Sequence, residues 1–206
     1  MNGLSTVTPR SALQRTIRRA SAPIDEVLHC QLCSAPIPEP HRHLLDEHSE
    51  ELLCACRACS VLFVREAAGR DHYRLIPDRR LRLPTLGLAA LGVPVGLAFF
   101  TIGDDGAVTA HYPSPMGATA WEVDAANWRA VVEEWPQLGQ LAGVVEALLV
   151  NTARHADEHW IVPIDDCYRL VAVIRSEWRG LTGGSRVWPA IDGFFAELNE
   201  SFSPTP

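Results

Sequence analysis

The chain has 206 residues, 47% of them hydrophobic, and a formal charge of −7 at pH 7. That length holds one ordinary domain or a small module joined to a medium one, and the apolar content excludes wholesale disorder. All 18 basic residues are arginine, which excludes chemistry that needs a lysine: the P-loop phosphate grip, a Schiff base, an amine general base.

Charge is spread unevenly along the chain. Residues 1–24 carry four arginines and no acid, residues 25–83 eight arginines against ten acids, and residues 84–206 six against fifteen. The first segment, rich in Ser, Thr and Arg, reads as a disordered tail. A C-terminal body at −9 repels phosphates, which argues against nucleic acid as its partner. No apolar h-region precedes Arg10, so no secretory signal is expected, and grouped cysteines in such a chain read as a metal site in a reducing cytoplasm.

Residues 25–83 are expected to form a small metal module. Cys30 and Cys33 make a C-x2-C pair, 22 residues follow, and Cys56 and Cys59 make a second pair. Four thiolates on two tight turns suit a closed tetrahedral Zn²⁺, which replaces the core that so short a module cannot build. Iron is the competing metal, because a four-cysteine set also holds a mononuclear iron centre. His41–Asp46 and Glu51–Cys56 read as strands around the polar turn Glu47–Glu50. If that turn is symmetric, His43 faces Cys54 and His41 faces Cys56 on one strand face. Cys54, His41 and His43 are then either an outer shell or a labile second metal position, or else a packed cysteine beside edge histidines. Leu62–Val64 and His72–Pro77 are further strand candidates with Ala67–Asp71 as their turn. Arg79–Arg82, closed by Pro84, reads as the linker.

Residues 84–200 are expected to form an acidic mixed α/β domain, with residues 201–206 as a tail. Leu83–Ile102 is twenty residues without a charge, the length of a membrane span. Pro84, Gly87, Gly92, Pro94 and Gly96 break any such helix, so a loop or short helix over Leu86–Gly92 and a buried strand over Pro94–Ile102 are expected instead. Gly103–Gly106 signals a hairpin returning along Ala107–Tyr112. Tyr112–Gly117 reads as a rigid turn-rich loop. Asp124 caps a helix from Ala125 to about Trp135, and Pro136 ends it. Val144–Asn151 is a strand or short helix, and His159–Pro163 a strand. Asp165 is expected to cap a helix to Arg179, and Arg186–Glu200 forms a last amphipathic helix with Trp188 inward. The fold class is therefore α+β or α/β: a zinc-ribbon-like β module followed by a mixed domain.

No catalytic constellation emerges. Ser114 has no neighbouring base and no nucleophile elbow. Cys167, beside Asp165 and Asp166, reads as a core cysteine. His155 and His159 have the i, i+4 spacing of a helical metal pair but lie ahead of a strand, and read as a solvated loop.

The runs His41-Arg-His-Leu-Leu-Asp46, Leu52-Leu-Cys-Ala-Cys-Arg-Ala-Cys59, Tyr112-Pro-Ser-Pro-Met-Gly-Ala-Thr119 and Val162-Pro-Ile-Asp-Asp-Cys-Tyr-Arg-Leu-Val171 resemble an uncharacterised bacterial family. Its genes lie beside those of high-affinity nickel–iron hydrogenases. Cys30, Cys33, Cys56 and Cys59 match the family's cysteine pattern, whereas Ser34 stands where that family usually has glycine. The resemblance implies an accessory role, with a hydrogenase subunit or maturation factor as the protein partner, and it implies no catalytic residue. The sequence thus supports a non-catalytic accessory protein that docks through its acidic body, with Trp178 and Trp188 as its candidate contact patch. A metal-handling or redox factor using His41, His43 and Cys54 is the alternative, and a zinc-ribbon regulator of nucleic acid a further one.

Overall fold

The computed structural model describes residues 27–49, 51–64, 72–87, 91, 96–180 and 183–201. The expected N-terminal tail, residues 202–206 of the C-terminal one, residues 67–71 and most of Leu86–Gly92 lie outside the described residues, whereas Ser201 ends the last helix. The chain divides into two units, Met1–Arg74 and Leu75–Pro206, and its class is α+β with two antiparallel sheets.

The first unit is built on a hairpin. Strands β1 (Arg42–Asp46) and β2 (Glu51–Ala55) pair in the register His43↔Cys54 and Leu45↔Leu52, the symmetric register that the polar turn implied. Asp46 sets the turn, because its Oδ1 accepts the backbone N–H groups of His48 (3.0 Å) and Ser49 (3.3 Å). Such a carboxylate replaces a backbone turn bond with a side-chain one. Helix α1 (Arg57–Ser60) follows β2 directly, and β3 (Tyr73–Leu75) completes a sheet of order β2-β1-β3. Leu44, Leu45, Leu52 and Ala55 are buried between them. Val61–Phe63, overlapping the expected Leu62–Val64 strand, is a 3-10 turn instead. The helical winding begun at Cys56 continues through it, overriding the β-leaning composition.

The second unit is a six-stranded antiparallel sheet of order β4-β9-β8-β5-β6-β7. Its strands are β4 (Leu81–Arg82), β5 (Leu97–Ile102), β6 (Val108–Ser114), β7 (Gly117–Val123), β8 (Glu146–Asn151) and β9 (Glu158–Pro163). Alternation sends Ala98, Phe100, Leu148, Val150 and Ile161 to one face, where they meet Trp128 and Val131 of helix α2 (Ala125–Glu134) and Leu138. Phe99, Leu149, Trp160 and Val162 have the opposite parity and are equally buried. Helix α3 (Ile164–Glu177) packs against this sheet and against α4 (Val187–Ser201). Ile164, Cys167, Leu170, Val171 and Ile174 form its buried stripe, and Val187, Ile191, Phe194, Phe195 and Leu198 form that of α4, both at helical spacing. With both faces covered, β8 has no exposed residue, which is why its sequence runs apolar without alternation.

Three expectations are corrected here. Tyr112–Gly117 is not a loop: Tyr112, Pro113 and Ser114 continue β6, only residues 115 and 116 turn, and β7 starts at Gly117. Pro113 is tolerated because β5 pairs with β6 only as far as His111, so no ladder on that side needs its N–H. Arg79–Arg82 is not a linker. Leu81 and Arg82 pair with Ile161 and Trp160 at the edge of the large sheet, and the division between units falls at residue 74 rather than 83. Asp165 does not cap α3, which begins at Ile164 after Pro163; its Oδ1 accepts the N–H of Asp166 at 3.0 Å.

The arginines of that edge clamp two buried acids. Arg79 grips Glu146 through Nε (2.8 Å) and Nη2 (2.6 Å), and Glu146 also accepts the N–H of Ala142 at 2.9 Å. Arg80 grips Asp166 through Nε (2.6 Å) and Nη2 (3.1 Å). Forked pairs of this kind are the strong form of ion pair. No helix among the described residues is long and apolar enough to cross a membrane.

Candidate metal centre

The first C-x2-C turn is closed by its own backbone. The N–H of Ser34 donates to the carbonyl of Cys30, and the N–H of Cys30 donates to the carbonyl of Ala35, both at 2.8 Å. The closure requires Ser34 at φ 62, in the left-handed region where glycine is at ease and serine is strained. A glycine would hold that conformation without strain.

The second turn is a helix start. Cys56 is the N-cap of α1, and its Sγ accepts the N–H of Cys59 at 3.4 Å while its carbonyl accepts the N–H of Ser60 at 2.9 Å. The two turns are tied together by Gln31, which lies inside the first. Its N–H donates to the carbonyl of Cys54 at 2.9 Å, and its Oε1 accepts the N–H of Cys54 at 2.7 Å.

The ligand atoms of Cys30, Cys33, Cys56 and Cys59 lie within 4.8 Å of one another, a group that can hold a metal ion. The Sγ atoms of Cys33 and Cys56 are 3.8 Å apart. A regular tetrahedron with metal–sulfur bonds of about 2.3 Å has edges of about 3.8 Å. Charge is shared unequally among the thiols. Burial opposes ionisation of Cys30, yet backbone N–H groups of Cys56, Cys33 and Leu32 outweigh it and bring its pKa down to about 6. Hydrogen bonding with the Cys56 and Cys33 side chains pushes Cys59 up to about 12. Filling such a set with a metal therefore expels protons.

Two further groups of potential ligands occur in the same unit. His41, His43 and Cys54 bring their donor atoms within 4.8 Å of one another. The pairing of His43 with Cys54 follows the expected register, but the ladder ends at Arg42↔Ala55. The expected pair His41↔Cys56 is therefore outside it, with Cys56 already turning into α1. Asp46, His48 and His72 form the other group, with the His48 and His72 rings stacked at 4.4 Å. No sequence signal marked it, because His72 reaches the hairpin turn only through the β3 pairing.

The remaining residues singled out by sequence take structural roles. Cys167 is fully buried, and burial raises its thiol well above the ordinary range. His159 is buried in β9 rather than solvated, 3.3 Å from Asp157, and burial lowers its pKa. Ser114 accepts the N–H of Met116 at the β6–β7 turn. Trp178 and Trp188 are half-buried: Trp178 donates to the carbonyl of Gly180 at 2.9 Å, and the Arg154 guanidinium lies over Trp188. Among the described residues the exposed tryptophan is Trp121 on the edge strand β7, at 70%.

A family model covers residues 29–202, from just before Cys30 to the end of α4. The chain belongs to DUF5947, a family of unknown function. The DUF5947 match spans both units and all four of the clustered cysteines. No curated protein and no solved structure matches the chain.

Proposed function

We propose that this protein is a non-catalytic accessory protein of the cytoplasm. A structural Zn²⁺ on Cys30, Cys33, Cys56 and Cys59 frames a zinc-ribbon-like module, and the protein acts by contact with another protein. The carrying observation is an all-sulfur set whose four ligand atoms lie within 4.8 Å of one another, with the Cys33–Cys56 pair at 3.8 Å. Four protein ligands leave a zinc ion no open position for water or substrate, which is the mark of a structural rather than a catalytic site.

The case for protein contact rests on the same turns. Leu32 in the first, and Val61, Leu62 and Val64 after the second, expose 38%, 63%, 62% and 64% of their surface. Apolar side chains held out on a metal-braced turn are a ready interface core. The partner class, a subunit or maturation factor of a nickel–iron hydrogenase, comes from the sequence resemblance. The acidic second half disfavours polyanions as partners.

Affinity purification of the tagged protein from native cells is expected to recover a hydrogenase component. Leu62→Asp with Val64→Asp is expected to abolish that recovery while zinc content stays at one per chain. Deleting the gene is expected to lower assembled, active hydrogenase. Normal hydrogenase assembly in the deletion strain would contradict the partner assignment, and sequence-selective DNA binding at physiological salt would contradict the accessory reading itself.

A further inference from the structure

We propose that His41, His43 and Cys54 form a second, exchangeable site for a borderline divalent transition-metal ion. The proposal rests on the four-cysteine set being the permanent site, and it concerns a different set of donors.

Two imidazoles and one thiolate are the donor set of borderline ions such as Zn²⁺ and Co²⁺. The hairpin prepares two of the three. His43 and Cys54 are directly opposed across β1 and β2. Both backbone groups of Cys54 bond to Gln31, at 2.7 Å and 2.9 Å, and so face away from β1. The pair is then of the non-hydrogen-bonded kind, whose side chains approach more closely. His41, two residues before His43, has the same strand parity, and its ring meets that of His43 edge-on at 4.6 Å.

All three donor atoms lie within 4.8 Å of one another. A tetrahedral ion with two nitrogens and one sulfur needs separations of about 3.3–3.7 Å, within reach of small side-chain rotations. The His41 side chain is only 6% exposed, and Glu39 Oε2 lies 3.5 Å from its Nδ1. A small shift would let that carboxylate accept from Nδ1 and leave Nε2 to meet the ion. His43 and Cys54 are half-exposed, so the site opens to solvent.

Three donors leave a fourth position for water or an incoming ligand, which makes this ion exchangeable where the four-sulfur one is not. Gln31 makes the two sites hierarchical. It sits between Cys30 and Cys33, so the turn that the first ion orders is the turn that fixes the Cys54 backbone. The second ion therefore binds after the first.

The test uses the full chain, loaded with Zn²⁺, freed of excess metal and titrated with Co²⁺. One Co²⁺ per chain is expected, with thiolate-to-cobalt charge-transfer and d–d absorption and with the zinc retained. His43→Ala and Cys54→Ala are expected to abolish cobalt uptake and keep the zinc. Gln31→Ala is expected to weaken cobalt binding by about tenfold or more. A zinc-loaded chain that takes up no cobalt, or takes it up equally well as Cys54→Ala, overturns this site alone. A chain that holds neither metal overturns the four-cysteine reading with it.

Discussion

The two units solve the same problem of stability by different means. In the second, a six-stranded sheet is covered on both faces, and its large side chains, Phe99, Phe100, Leu148, Leu149 and Trp160, are at most 1% exposed. Burying each such side chain contributes about 1.5–3 kcal/mol. In the first, the hairpin core is little more than Leu44, Leu45, Leu52 and Ala55, and six large apolar residues among those described from Val27 to Val64 are exposed. A unit of that kind needs a staple. On the proposed reading the contrast teaches that one chain can hold an apolar-core body and a metal-dependent module, and that such a module would be free to display apolar side chains because its stability would come from the metal.

The largest effect that sharpens this contrast is loss of a ligand. Cys30→Ser or Cys59→Ser is expected to remove the metal, worth on the order of 10 kcal/mol to a structural site, and to disperse the β1–β2 hairpin while the large sheet persists. Amide NMR spectra read this directly: unfolding of both units would break the comparison.

In the second unit the greatest single loss should come from an orphaned charge. Arg79→Ala leaves Glu146, 3% exposed, without its partner. Breaking such a pair costs about 3–5 kcal/mol, measurable by denaturant unfolding of the sheet with the zinc content unchanged. Replacing both residues by apolar ones is expected to recover much of that loss.

Acid should separate the units by another route. His111 is stacked on Phe99 and bonded to Thr101 Oγ1 at 2.9 Å, and burial lowers its pKa from 6.5 to about 4. Between those values the unfolded chain binds a proton that the folded chain refuses. Stability of the second unit is therefore full above pH 6.5 and falls as pH drops toward 4, by on the order of 3 kcal/mol at most. His111→Phe is expected to flatten that slope in a series of melting curves, and an unchanged slope would assign the acid sensitivity to other groups.

The smallest effect concerns the neighbouring cysteine outside the four-ligand set. Cys54→Ala is expected to cost about 1 kcal/mol or less and to leave the first metal in place. Metal loss as complete as in Cys56→Ala would mean that the four ligands are wrongly chosen.

The hairpin register was legible in the sequence because a polar turn sits midway between two short apolar strands, and a slip of one residue would turn Leu45 and Leu52 outward. The Asp124 cap was legible because capping is local: its carboxylate accepts the N–H groups of Ala126 and Asn127. β4 was not, because what makes Arg79 and Arg80 structural are acids 67 and 86 residues away, and no local pattern announces such partners. β7 was hidden by Pro113 and Pro115, whose turn signals hold for two residues only. Among candidate ligands, the spacing of the four cysteines was legible, whereas Asp46, His48 and His72 meet only through strand pairing.

Zinc-edge X-ray absorption of the protein carrying one equivalent of metal tests the central claim most directly. The account predicts four sulfur neighbours at about 2.3 Å and no nitrogen or oxygen in the first shell. A mixed nitrogen–sulfur shell, or iron in place of zinc, would contradict it.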